Sequence, residues 1–240
     1  MGLLKRTLLM MFILVSTLAC ENESKGKFFG DAEDSSALEV EPIEEEPVVK
    51  APVQDEFSYI AFTWDSKHRD SMLWSEYTHQ AIEEYGEDLI ASEPSDIENF
   101  CPEYKELNSE GKLMFWIQLV ASMTKYESGF KPETSYKESF KDSKGNYIYS
   151  RGLLQISIES ARGYDCDLDD ALDLHDPQKN LECGVRILNR WVKRDGVVAS
   201  KRSDGKWVGG ARYWSVLRKR SSSTSYDKIR NLTSKSEVCR

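Results

Sequence analysis

Between Gly111 and Tyr126 the apolar residues Leu113, Phe115, Trp116, Ile117, Leu119, Val120, Met123 and Tyr126 recur at helical spacing. That pattern predicts a helix buried around most of its circumference, which Gly129 and Pro132 then stop. Glu127 falls in its last turn. A second helix is predicted through Leu181, Val185, Leu188, Trp191 and Val192, with Asp176 as N-cap, Pro177 as first helical residue and basic residues before Gly196. Trp74, Tyr77, Ala81, Ile82 and Tyr85 mark a further helix, followed by a polar loop through Glu93-Pro94-Ser95-Asp96. The turn chemistry of Ser143-Lys144-Gly145-Asn146 before Tyr147-Ile148-Tyr149 predicts one small β-hairpin. The expected fold class is mainly α, with that hairpin and a helical N-terminal extension, and nothing repeats internally.

Composition divides the chain before this pattern starts. Residues 1–19 read as an export signal: Lys5 and Arg6 precede an apolar run from Leu8 to Val15 that is too short to span a bilayer comfortably. Ser16-Thr17-Leu18-Ala19-Cys20 resembles a bacterial lipobox, with Cys20 as the lipidated residue and Glu21 favouring the outer membrane, although Thr17 stands where Leu is usual. Ordinary signal-peptidase cleavage is the alternative. Residues 20–56 follow as an acidic tether, and positions 21–56 hold twelve acids and three bases, a net of −9 that matches the balance of the whole chain. Such a stretch buries too little apolar surface to offset the entropy of ordering. The remaining residues, 57–240, have the length of one domain.

Charge is uneven inside that domain. Residues 57–185 carry a net of −13 and residues 186–240 a net of +11. Export argues against nucleic acid as partner, so mutual compensation within the fold is the simpler expectation, while acids lining a groove would favour a cationic glycan. Beyond Cys20, four cysteines remain, an even number in an exported chain. Three pairings are possible. Cys166 with Cys183 is expected, since it would staple the loop entering the Asp176-Pro177 helix to that helix, which leaves Cys101 with Cys239. The run Asp165-Cys166-Asp167-Leu168-Asp169-Asp170 looks superficially like a calcium loop, but Asp170 stands where the sharp turn wants Gly and Asp176 where a bidentate Glu belongs. No metal and no cofactor are expected.

The candidate chemistry centres on Glu127. The negative end of a helix and apolar neighbours both disfavour its ionisation, which suits a general acid near neutral pH. Glu127-Ser128-Gly129-Phe130, then Ser150-Arg151-Gly152-Leu153-Leu154-Gln155, then Asp176-Pro177 running into Asn180, Gly184 and Leu188, resemble in order and spacing the motifs of soluble lytic transglycosylases. Those enzymes are grouped with goose-type lysozyme in one lysozyme-like family that cuts peptidoglycan glycan strands. The resemblance covers roughly residues 111–217, with Leu154 in the place of a Met. It implies a lysozyme-like fold with a helical front over 57–108, a catalytic core over 109–220 and a C-terminal tail over 221–240.

The resemblance further implies Glu127 as catalytic acid, with Gly152 letting backbone approach the sugar and Ser150 and Gln155 facing substrate. Gly209-Gly210-Ala211-Arg212-Tyr213-Trp214 is similar to the family's A-Y-N block, with Trp214 where Asn is usual, and would bring the Tyr213 hydroxyl to the catalytic carboxyl. No second acid is pinned by a motif, whereas hydrolytic glycosidases generally use two. The expected reaction is therefore the non-hydrolytic one: cleavage of the β-1,4 bond between N-acetylmuramic acid and N-acetylglucosamine, with the muramyl C6 hydroxyl as acceptor and a 1,6-anhydro end as product. The alternatives are a hydrolytic lysozyme, acting also on de-N-acetylated glycan, with Glu138 or Asp142 holding water, and a peptidoglycan-binding lipoprotein without turnover. The expected partners are peptidoglycan strands and, through Cys20, the periplasmic face of the outer membrane.

Overall fold

The computed structural model describes residues 60–240 except Ser223. The export signal, Cys20 and the acidic tether lie outside the described residues. No described helix is long and apolar enough to cross a membrane.

The central element is helix α3, Ser109–Glu127, capped by the Asn108 side chain, which accepts from the Gly111 N–H at 2.8 Å. Eleven of its residues, among them Phe115, Trp116, Ile117, Leu119, Val120 and Met123, are buried, so it is core on nearly every face. Helices α1 (Ser71–Tyr85) and α2 (Glu87–Ala91) pack against it and against α5 (Pro177–Asp195). The front is thus part of the same core. Trp116 Nε1 donates to the Leu89 carbonyl at 2.8 Å and to the Tyr104 hydroxyl at 3.0 Å, and Asn189 on α5 accepts from the Leu89 N–H at 3.1 Å.

Helix α5 starts and stops as its sequence dictates. Asp176 accepts from the Gln178 and Lys179 N–H groups at 2.8 and 3.2 Å, Pro177 opens the first turn, and Gly196 ends it at φ 66°. Between α3 and α5 lies an antiparallel three-stranded sheet of β1 (Ser135–Lys141), β2 (Tyr147–Arg151) and β3 (Ile156–Ser157), followed by the short helix α4 (Ile158–Gly163). Beyond α5, β4 (Ala199–Lys201) and β5 (Trp207–Gly209) form a second hairpin that the periodicity did not suggest.

Residues 221–240 are more than a tail. Ser225–Ser234 form α6, which packs on α3 through the buried Tyr226, Ile229 and Thr233, spaced three and four apart on one face. Three buried positions in ten residues make a periodic pattern too weak to predict the helix from the sequence. Cys101 is bonded to Cys239, joining the front to the end of the chain, and Cys166 to Cys183, joining the loop before α5 to that helix. The acidic run closes on itself: Asp173 accepts from the Asp169 N–H at 2.7 Å and pairs with Lys179 at 3.1 Å.

Candidate active site

A groove of about 1030 Å³ runs between the end of α3, the β1–β2 hairpin and the segment after β5, and Glu127 lies on its floor. Glu127 is the last residue of α3. The chain then leaves the helix through Gly129 and Phe130, both left-handed at φ 61° and 65°, a conformation that costs a non-glycine residue energy. One Glu127 oxygen accepts from the Val216 N–H, while Oε1 has no hydrogen-bond partner among the described residues. Burial pushes its pKa up to about 8, the charge of Glu138 adds to the rise, and Arg218 opposes it. The carboxyl is therefore protonated at neutral pH, with one oxygen free to donate.

Glu138 stands in the same groove as Tyr136 and Phe140, its neighbours two positions away on either side along β1. Lys137 pairs with Tyr149 and Lys141 with Tyr147, so four steps of β1 oppose two of β2 and residues 138–140 bulge outward. Ser139, between Glu138 and Phe140 in this irregular stretch, lines the groove as well. Ser150 on β2 donates to Glu138 Oε1 at 2.6 Å. Asp142, the other acid considered as a water-holding base, is excluded by its place in the turn: it accepts from the Lys144 and Asn146 N–H groups at 2.9 and 2.8 Å and does not line the groove.

Three expected roles change in the folded chain. Gly152 is buried away from the groove at φ 76°, and a Cβ there would lie 2.0 Å from the Leu174 carbonyl oxygen and 2.2 Å from Asn180 Nδ2. Its missing side chain makes room for Asn180 on α5 and for the Leu174 carbonyl in the turn before that helix, not for sugar. Gln155 lines the groove, but its amide donates inward to the Gly152 and Thr134 carbonyls at 2.8 and 3.1 Å, so it holds the loop and its donors are unavailable to substrate. The Tyr213 hydroxyl, with its pKa pushed up to about 12 by burial, bonds to the Ser160 side chain and the Ser157 backbone rather than to Glu127.

Other residues do the positioning. Asn180, fully buried, accepts from the Leu154 N–H at 2.8 Å and donates to the Leu174 and Arg151 carbonyls at 2.8 and 3.0 Å, fixing residues 151–154 to α5. Trp214 donates to the Leu154 carbonyl at 2.9 Å, tying the segment after β5 to the same loop. His175 bonds the Pro132 carbonyl through Nδ1 at 2.9 Å and Ser135 through Nε2 at 3.3 Å, anchoring the base of the hairpin. Arg218 and Arg220, which no motif singled out, also line the groove. Among the described residues no cluster of three or more His, Cys, Asp or Glu could hold a metal ion.

A mainly α, lysozyme-like core with a protonated glutamate at the end of its central helix, facing a long groove beside a hairpin, defines the class. The sequence profile of the transglycosylase SLT domain matches residues 107–201. The chain is similar to the solved structure of Bd0314 DslA in its wild-type form 2, at 45% identity and a TM-score of 0.72, covering 75% of this chain and 98% of that one. Two further DslA structures, with 44% and 43% identity and the same coverage and TM-score, each carry one glutamate-to-glutamine replacement, at positions eleven residues apart. No curated protein matches. The chain belongs to the SLT transglycosylase family, and membership implies peptidoglycan cleavage of the lytic transglycosylase type.

Proposed function

We propose that this protein is an enzyme that cuts the β-1,4 bond between N-acetylmuramic acid and N-acetylglucosamine, with Glu127 as the general acid that protonates the leaving oxygen. The observation that carries this reading is the Glu127 carboxyl itself: the residue lines the groove, its pKa is pushed up to about 8, and its buried Oε1 has no hydrogen-bond partner among the described residues. The Glu127→Gln protein should bind sacculi and release products about a thousandfold more slowly. Unchanged release would sink the assignment.

The acceptor is a separate question. The non-hydrolytic reading rested on the want of a second acid, yet Glu138 shares the groove, acts electrostatically on Glu127 and is held by Ser150. The two replaced glutamates of DslA are eleven residues apart, the separation of Glu127 and Glu138 here. We therefore take water, held by Glu138, as the acceptor that the geometry supports best. Glu138 and Glu159 also give the groove a charge that suits a glucosamine ammonium. A sugar lacking its acetamido group cannot assist its own cleavage, and a second carboxylate would then be needed. Transfer to the muramyl C6 hydroxyl is the second reading, favoured by the family match. Mass spectrometry of muropeptides from acetylated and de-N-acetylated sacculi separates the two: reducing ends indicate hydrolysis, and ends lighter by one water indicate anhydro products.

We also propose lipid anchoring at Cys20 to the periplasmic face of the outer membrane, on the support of the lipobox-like residues before it. Under this reading Cys20→Ser moves the protein to the soluble fraction, and retention in the membrane would argue against it.

A further inference from the structure

The wall of the groove after β5 carries two arginines that the fold leaves uncompensated. Six residues before Arg218, Arg212 is bonded by Asp195 at 2.6 and 3.1 Å, and on α5 Arg186 is bonded by Glu182 at 3.0 Å. Arg218 and Arg220 have no such partner: among the described residues neither forms an ion pair, and the charge of each bears on the other, lowering the pKa of Arg218 beyond the effect of its burial. The acid whose charge reaches Arg218 is Glu127, which burial keeps protonated at neutral pH. Two like charges set side by side cost free energy unless something else brings in an anion.

Arg218 is also held in place. Its Nε donates to the Ala211 carbonyl at 2.8 Å and its Nη2 to the Arg212 carbonyl at 3.0 Å, so the guanidinium plane is fixed against the turn after β5 while Nη1 stays unbonded among the described residues. A guanidinium fork held in this way is preorganised for a carboxylate. Arg220 is exposed, and its guanidinium stands 5.9 Å from the centre of the Trp207 ring. The other groove-lining charges, Glu138 and Glu159, are acids. The groove thus offers one anion-accepting patch beside an acidic one.

We propose that Arg218 and Arg220 form a carboxylate-binding patch that recognises the acid-bearing substituent of the muramyl sugar and so sets which of the alternating glycosidic bonds meets Glu127. This deepens the proposed function and rests on it: in a glycan of two alternating sugars, one carries a lactyl group, and the carboxylate is either that group's own, on a strand without peptides, or belongs to the peptide attached to it. A site for the carboxylate on one side of Glu127 fixes the register of the strand. Neither arginine needs to touch the reacting atoms.

Affinity in a Glu127→Gln protein tests this independently of cleavage. Four-sugar strands would be compared by calorimetry at low salt, with the lactyl carboxylate free, converted to a primary amide, or coupled to a peptide with free carboxylates. A charge-assisted bond predicts that at least one carboxylate-bearing strand binds about tenfold tighter than the amide. Preference for the first names the lactyl group, and preference for the third alone names the peptide. Adding Arg220→Gln, an exposed position where folding is not at stake, should bring the ratio close to one, and raising the salt should shrink it. Equal binding of all three strands, or a preference that survives both Arg220→Gln and Arg218→Lys, would overturn the proposal. The Glu127 assignment is read from released products and this proposal from binding alone, so the two readings fail separately.

Discussion

The hydroxyl of Ser150, which pairs with Tyr136, donates to Glu138 Oε1 at 2.6 Å, next to the stretch where four steps of β1 oppose two of β2. Glu138 shares the groove face of β1 with Tyr136, and the neighbouring strand supplies the donor that holds its carboxylate. Ser150→Ala should lower the rate by about tenfold, the scale of losing one charge-assisted bond. Glu138→Gln should cost more. If Ser150 acts through Glu138, the two changes will not add: the double variant should be no slower than Glu138→Gln alone, as a double-mutant cycle of rates would measure.

Glu127 makes a second expectation, about pH. As a general acid it must be protonated, so cleavage should fall as pH rises through about 8. Glu127→Gln should lower the rate by about a thousandfold and leave no such limb in any residual activity.

The same carboxyl bears on stability, with a definite sign. Its folded pKa lies above the ordinary value of 4.5, so between that value and about 8 the folded state binds more protons than the unfolded one. Stability should therefore drop as pH rises through this window. Glu127→Gln removes the buried charge, so its melting temperature should exceed that of the unsubstituted protein at pH 8.5, with the gap closing by pH 5. A gap constant with pH would mean that the carboxyl is not desolvated as described.

How much of this was legible beforehand depends on whether a residue's role is local. Helices α3 and α5 carry their caps, stops and apolar stripes within their own sequence, and Glu127 follows from where α3 ends. The hairpin was visible from its turn. Its bulge was not, because register depends on which residues the two strands pair, and neither was the groove that Glu138 faces, because Glu127 and the segment after β5 complete it from elsewhere in the chain. Gly152 and Gln155 stood out as motif residues, but whether a motif residue faces substrate or the protein is decided by contacts far along the chain: here Asn180, Leu174 and Thr134 claim them. Arg218 gave no local sign, since its lack of an acid partner emerges only once the chain is folded.

Asn180 illustrates that dependence and can be tested directly. It makes three hydrogen bonds with no exposure to water, so Asn180→Ala strands the Leu154 N–H and two carbonyls inside the protein. Buried groups left unpaired cost ~1–3 kcal/mol each, so a loss of about 3 kcal/mol or more is expected in urea unfolding. Gly152→Ala should be worse still, because its Cβ would overlap backbone at a left-handed φ.

The two disulfides should differ in what their removal costs. Cys166–Cys183 closes a chain separation of 17 residues and Cys101–Cys239 one of 138. Loop entropy assigns ~3 kcal/mol to the first and ~5 kcal/mol to the second. The longer bridge holds the last turn of the chain against the front, with Cys101 and Cys239 both buried. Cys101→Ala with Cys239→Ala should therefore lower the midpoint of denaturant unfolding more than Cys166→Ala with Cys183→Ala. The shorter bridge, however, stands next to the loop that Asn180 fixes below the groove. Its loss should slow cleavage more per unit of stability lost, and the opposite ranking of rates would show that the loop is held by its hydrogen bonds alone.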